Sequence, residues 1–257
     1  MSLDFAPRPG AAPLSAMIRS QTGIELRLLV RNGEQLLLAL VIPLLLLIAG
    51  THSGRVVDLG SGRSIDIITP GVLALAILST SFTSLAIATG FERRYGVIKR
   101  LGASPLPRSG LMLGKIGAVL IVEAIQLTVL SLVALGLGWQ PHGGVAAVGW
   151  LILLALLGTA AFGALGLLIA GTLRAEATLA FANLVYVLLL VGGGVLVPLS
   201  RYPAGARTAL EWLPSGALGQ GLRDVVAGSA PGIFPIAVLL IWAIVAGILT
   251  AKTFEWE

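Results

Sequence analysis

Charge is what this sequence lacks most. Charged residues fill 11% of its 257 positions and hydrophobic residues 56%, whereas an ordinary soluble domain carries roughly 25% charged residues. Most atoms of a small soluble domain lie near its outside, so a soluble chain of this size needs far more polar surface. The solvent of this chain is therefore largely lipid. Cysteine is absent, which excludes a disulfide framework, a zinc knuckle and thiol chemistry. There is no Gly-x4-Gly-Lys-Ser/Thr phosphate loop: the run from Gly110 to Lys115 has the wrong spacing and continues into Ile116. Gly60-Ser61-Gly62 is a loop fragment and not a nucleophile elbow. His52 and His142 fall in separate loops without neighbouring ligands, so no metal site is expected. With no grouping of acid, base and nucleophile, the chain is expected to be no enzyme, to carry no cofactor of its own and to bind no nucleic acid.

What is present is a series of long apolar runs. A bilayer core takes about 20 apolar residues as a helix, and six stretches meet or approach that: 35–50, 70–90, 110–137, 145–171, 179–198 and 234–251. The runs are continuously apolar and do not alternate, which selects helices over a barrel. The fold class is all-α, a polytopic membrane protein of six transmembrane helices in one domain over 1–257. Pro43 interrupts the first run, and Pro70 is placed to begin the second. The first run is read as a retained anchor rather than a signal peptide, since it starts behind Arg19, Glu25, Arg27, Arg31 and Glu34 and no small-residue cleavage pattern follows it. With the N-terminus inside, the inner segments and Lys115 hold twelve of the basic residues and the outer segments hold five (Arg55, Arg63, Arg201, Arg207, Arg223). The positive-inside rule then puts both termini in the cytoplasm.

The segments between the runs carry pattern of their own. Residues 14–34 read as an amphipathic interface helix, with Ile24, Leu28, Leu29 and Val30 on an apolar stripe and Arg27, Arg31 and Glu34 opposite; a plain juxtamembrane anchor would look the same. Residues 91–101 read as a short charged helix, with Phe91, Tyr95 and Ile98 on one face, Glu92, Arg93, Arg94, Lys99 and Arg100 elsewhere, and Gly102 and Pro105 as stop signals. The blander reading is a loop that has collected positive-inside charges. Residues 203–230 read as two short helices folded back on the outer membrane surface, with Ser215 as an N-cap and Trp212 at the interface. They would form a lid over a pathway or fill space between the fifth and sixth spans. Glu123, the sole acid deep inside a span, marks with Gln126 a candidate substrate path, or else a buried hydrogen bond between helices. Gly158, Thr159, Gly163 and Gly166 read as close-packing positions, and Gly192-Gly193-Gly194 as a bend.

Three of these features in order resemble the membrane subunits of bacterial ABC exporters of the ABC-2 type. They are Glu25-Leu26-Arg27-Leu28-Leu29-Val30-Arg31-Asn32 before a Pro43-bearing helix; Glu92-Arg93-Arg94-Tyr95-Gly96-Val97-Ile98-Lys99-Arg100-Leu101 before Ala103-Ser104-Pro105; and Gly193-Gly194-Val195-Leu196-Val197-Pro198-Leu199-Ser200 followed by Tyr202-Pro203, Leu213-Pro214 and Leu222-Arg223-Asp224. The resemblance implies a permease in the bacterial inner membrane that pairs with a second permease, identical or not, among membrane lipid. It would sit on cytoplasmic ABC ATPase subunits that hold ATP and magnesium. It makes 91–101 the coupling helix, with Phe91, Glu92, Arg93, Arg94, Tyr95, Gly96, Ile98, Lys99, Arg100 and Leu101 as its site, and makes the segment with Pro198, Trp212, Pro214 and Leu222 an outer gate or re-entrant hairpin. The scarcity of aromatic residues in the spans tilts the expected cargo towards a lipid or a hydrophobic drug-like molecule, exported. The competing expectation is a secondary carrier driven by an ion gradient through Glu123.

Overall fold

The computed structural model describes residues 10–52, 63–195 and 197–254; Arg8, Arg55, Gly60-Ser61-Gly62 and Leu196 lie outside them. Among the described residues the chain is helical throughout, with one isolated bridge between His142 and Ala227. In chain order the helices are α1 (Leu14–Arg31), α2 (Gly33–His52), α3 (Ser64–Leu78), a π segment (Ser79–Ser84), α4 (Leu85–Arg94), α5 (Val97–Gly102), α6 (Arg108–Gly136), α7 (Gly144–Thr172), α8 (Ala175–Gly192), a 3-10 turn (Leu199–Arg201), α9 (Ala204–Leu210), α10 (Pro214–Val226) and α11 (Ile233–Thr253).

Among the described residues, five helical stretches are long and apolar enough to cross a membrane: Ser64–Arg94, Arg108–Gly136, Gly144–Thr172, Ala175–Gly192 and Ile233–Thr253. α2 is a further 20-residue helix, whose shorter apolar stretch covers Ala39–Thr51. The first of the five joins α3, the π segment and α4 without a break and is the hub, 72% buried against 17% for α8 at the periphery. Around it the core is filled by Phe82, Phe162, Leu130, Leu154 and Leu218, all within 1% of complete burial. Glycines set the closest approaches. A Cβ on Gly166 of α7 would stand 2.8 Å from the Phe82 carbonyl oxygen of the π segment, and one on Gly158 would touch Leu218 and Ile77 at 3.2 and 3.3 Å. Such backbone proximity replaces the hydrophobic drive that lipid removes.

α1 lies along α6 and turns Gln21 and Glu25 inward, while Arg19, Arg27 and Arg31 stay exposed. A Cβ on Gly114 of α6 would come within 2.5 Å of Gln21, and one on Gly117 within 2.9 Å of Thr22, so those glycines form the seat for α1. Gln21 and Glu25 are buried there, while Ile24, Leu28 and Val30 are exposed on the other side. Of the apolar stripe read from the sequence, Ile24, Leu28 and Val30 thus face outward and Leu29 is half-buried.

Several expectations are corrected. Pro70 does not begin a helix but sits inside α3, which starts at Ser64. Its missing N–H forfeits only the bond to the Asp66 carbonyl, near the helix start, which a helix anchored by its neighbours tolerates. Pro43 does not interrupt α2 either: the helix runs through it. The triple glycine ends α8 rather than bending it: Gly193 is the C-cap and Gly194 takes φ +61°. The helix read over 91–101 is two pieces, parted at Tyr95-Gly96, where Gly96 adopts φ +68°. Phe91, Tyr95 and Ile98 consequently do not share a face, since Tyr95 is 68% exposed and Ile98 fully buried. Ser215 does not cap α10; Leu213 does, with Pro214 in the first turn, where a proline's missing donor costs nothing. Of the two short helices in 203–230, α9 buries no residue, but α10 does not lie over a surface. Its Ala217, Leu218, Leu222 and Val225 are buried in the main core, where α10 packs against α3, α7, α8 and α11.

Candidate functional site

The basic residues gather at one end of the bundle, where α4, α7 and α11 finish and α6 and α8 begin. Phe254, after α11, packs with Ile98 and Leu111 and against Gly171 at the end of α7. At this end Glu92, Arg93 and Arg94 are consecutive and so point in three directions about the helix axis, about 100° apart. Each meets a different helix.

Glu92 turns towards α6 and α1. Lys115, two turns into α6, places its Nζ 2.5 Å from Glu92 Oε2 and 2.9 Å from Glu25 Oε1 of α1, and its side chain is 1% exposed. Gln21 Nε2 adds a hydrogen bond to Glu25 Oε1 at 2.7 Å. A buried ammonium needs counter-charge, and two carboxylates from two other elements supply it. Arg93 donates through Nη1 to the carbonyls of Ala170 (2.7 Å) and Leu173 (3.1 Å). It thereby satisfies carbonyls at the C-terminus of α7, where a cation also suits the helix dipole. Arg94 pairs with Glu176 in the first turn of α8 at 2.5 Å, a more exposed contact. The chain then reverses at Gly96 and enters α5, anchored by the fully buried Ile98. Tyr95, Val97, Lys99 and Arg100 remain at the surface, with Leu101 half-buried against the Ile98 cluster. Tyr95 stacks on Phe91 with ring centroids 6.3 Å apart.

The sequence-predicted site is thus divided. Tyr95, Lys99 and Arg100 present outward, whereas Glu92 and Arg93 are spent on internal contacts. Glu25 and Lys115 belong to the same assembly and were not singled out. Lys115 carries the one available signal, a lysine set into an apolar run, which demands an acidic partner.

Beside this junction a cleft with room for about 30 Å³ runs between α1, α2, the π segment and α6, lined by Glu25, Ala39, Thr80, Ser84 and Lys115. That admits water and nothing larger. Glu123 and Gln126 do not line it. Gln126 is buried, accepts from Thr80 Oγ1 at 2.9 Å and donates through Nε2 to the Ala39 carbonyl at 2.5 Å. Ala39 precedes Pro43 by four residues, so its carbonyl has no helical donor; Gln126 supplies one from α6. Glu123 is buried between α6 and the hydroxyl of Thr159 on α7.

At the opposite end Arg223 of α10 donates through Nη2 to the carbonyls of Gly194 (2.7 Å) and Val195 (2.9 Å), fixing the chain that leaves α8. Burial pulls its guanidinium down to about 10. Leu222 is fully buried and Pro214 buried in α10, Pro198 precedes the 3-10 turn, and Trp212 is exposed. Trp212 stacks edge-on against Phe234 at 5.1 Å and accepts at its carbonyl from Trp242 Nε1 at 2.8 Å.

Comparison with known proteins agrees with this architecture. The chain is 24% identical over 229 residues to a Bacillus subtilis (strain 168) protein named "Putative transport permease YvfS", an alignment covering 87% of this chain and 91% of that one. Residues 58–252 match the family model described as ABC-2 family transporter protein. A multi-pass helical chain matched to that family over most of its length is a membrane transport component, and the protein belongs to the ABC-2 transporter family.

Proposed function

We propose that the chain is the permease half of an ATP-driven exporter, crossing the bacterial inner membrane six times by α2, α3–α4, α6, α7, α8 and α11 with both termini cytoplasmic. α9 and α10 form its outer re-entrant segment. A separate ABC ATPase, holding ATP and magnesium, docks on the Tyr95–Arg100 knuckle and moves a lipid or hydrophobic drug-like cargo outwards through a path shared with a second permease. The observation that carries this reading is the junction of Glu25, Lys115 and Glu92. It fastens the end of α4, next to the surface knuckle, to α1 and α6, so a push on the knuckle reaches three helices at once. The clustering of basic residues at that end supports its cytoplasmic placement.

The test is affinity purification from the native membrane, with the co-eluting proteins identified. A P-loop ATPase should co-elute and be lost when Lys99 and Arg100 are both changed to Glu. A chain that elutes alone and still moves a fluorescent phospholipid analogue across liposomes overturns the proposal.

A further inference from the structure

Glu123 and Thr159 are among the most deeply buried polar residues, 2% and 1% exposed. They join α6 to α7 through Thr159 Oγ1 and Glu123 Oε2. A threonine hydroxyl has one proton, and this one also lies 2.8 Å from the Ala155 carbonyl oxygen, which can only accept. It cannot donate to both. Ser81 faces the same carboxyl from the π segment and also lies 2.5 Å from the Ile77 carbonyl oxygen, so its single proton is shared between two acceptors. Glu123 Oε1 has no hydrogen-bond partner among the described residues.

An ionised carboxylate in this position would be buried with no counter-ion and at most two hydroxyls to donate to it. Among the described residues no charged side chain from the elements around it pairs with Glu123, and the polar groups acting on it are the two hydroxyls. Lys115 lies eight residues away on the same helix, about 12 Å along the axis, and is already held by two carboxylates.

We infer that Glu123 is held as the neutral carboxylic acid: its own O–H donates to Thr159 Oγ1, and Thr159 donates onward to the Ala155 carbonyl. Every proton then has an acceptor and no charge is left unpaired. Glu123 is therefore a positioning residue that pins α6 to α7, and not a charged contact for cargo. The inference holds whether or not an ATPase drives the protein.

The test is isotope-edited infrared spectroscopy of the full chain in liposomes, with the glutamate carboxyl carbons labelled. A band from a protonated carboxyl should be present at neutral pH, persist as the pH is raised, and vanish in E123Q. In T159V, which removes the acceptor, the band should shift to higher frequency. E123Q, whose amide still donates to Thr159, should melt with the wild type, and E123L should melt lower. Absence of the band at neutral pH, or its loss as pH rises through neutrality, overturns the assignment. Should E123L not fold, the wild-type band read against E123Q decides alone.

Discussion

Replacing Lys115 by methionine removes the one cation from a site that holds two carboxylates. Glu25 and Glu92 would then face each other across the vacated volume with side chains 10% and 17% exposed, too little for water to replace the ammonium. Breaking a buried ion pair by deleting one partner costs about 3–5 kcal/mol, and the slight opening at Glu92 places the value towards the lower end. Such a cost corresponds to a roughly 100- to several-thousand-fold shift in a conformational equilibrium. The least costly response is release of α1 from α6, since α1 is held there mainly by Glu25, Gln21 and the glycine seat. Two measurements read it. Unfolding in mixed micelles with increasing SDS should begin earlier in K115M. A cysteine pair at positions 22 and 117, introduced without background into a chain that has no cysteine, should cross-link in the parent and lose efficiency in K115M. Adding E25Q and E92Q to K115M should recover most of both losses, because neutral amides need no counter-ion. Unchanged stability and cross-linking in K115M, or no recovery in the triple variant, would refute the junction as the element that holds α1.

Three further outcomes follow from contacts elsewhere. Gln126→Leu leaves the Ala39 carbonyl without a donor and should cost about 1–3 kcal/mol in unfolding titrations; adding Pro43→Ala, which restores the helical N–H, should return most of it, and a strictly additive pair would contradict the assignment. Gly166→Val drives a side chain into the Phe82 backbone carbonyl, which cannot swing aside, at about 1–3 kcal/mol, whereas Gly149→Ala, with nothing within 4 Å of its new methyl, should be neutral or stabilising. Arg93→Met should leave the Ala170 and Leu173 carbonyls without the Arg93 donor and fray the end of α7, seen as faster hydrogen exchange at the Leu173 amide, which closes the last turn on the Ile169 carbonyl, with exchange at the middle of α7 unchanged.

The apolar runs made α6, α7 and α11 legible to within two residues at each end, because lipid admits few other solutions for a run of that length. Legibility ended where a residue's partner lies far along the chain. Lys115, Glu25 and Glu92 come from three segments that share no periodic signal, so an apolar-stripe argument placed α1 correctly but could not show that Glu25 turns inward to Lys115. Gly96 carried a turn signal in plain sight, but the charged residues on both sides read as one helix. α10 misled differently: with glycines and Arg223 it looks like surface, and it is buried because Arg223 finds backbone carbonyls to satisfy and its small residues admit close neighbours.

The π segment at Ser79–Ser84 has a consequence for phase. A helix that closes its bonds five residues on instead of four contains, in effect, one inserted residue, and the wide turn absorbs a residue that in a regular helix would turn everything downstream by about 100°. Glu92, Arg93 and Arg94 lie downstream of it by two to four turns, and each reaches a different helix only at its present angle. Deleting a single residue between positions 79 and 84 would remove the wide turn together with the residue it absorbs and leave the three charges facing as they do, whereas deleting one from the regular turns between positions 85 and 91 would turn all three by about 100°. The wide turn beside Phe82 thus acts as an indexing step: it takes up the extra residue in the middle of the membrane, so that the charged end of the helix keeps its facing.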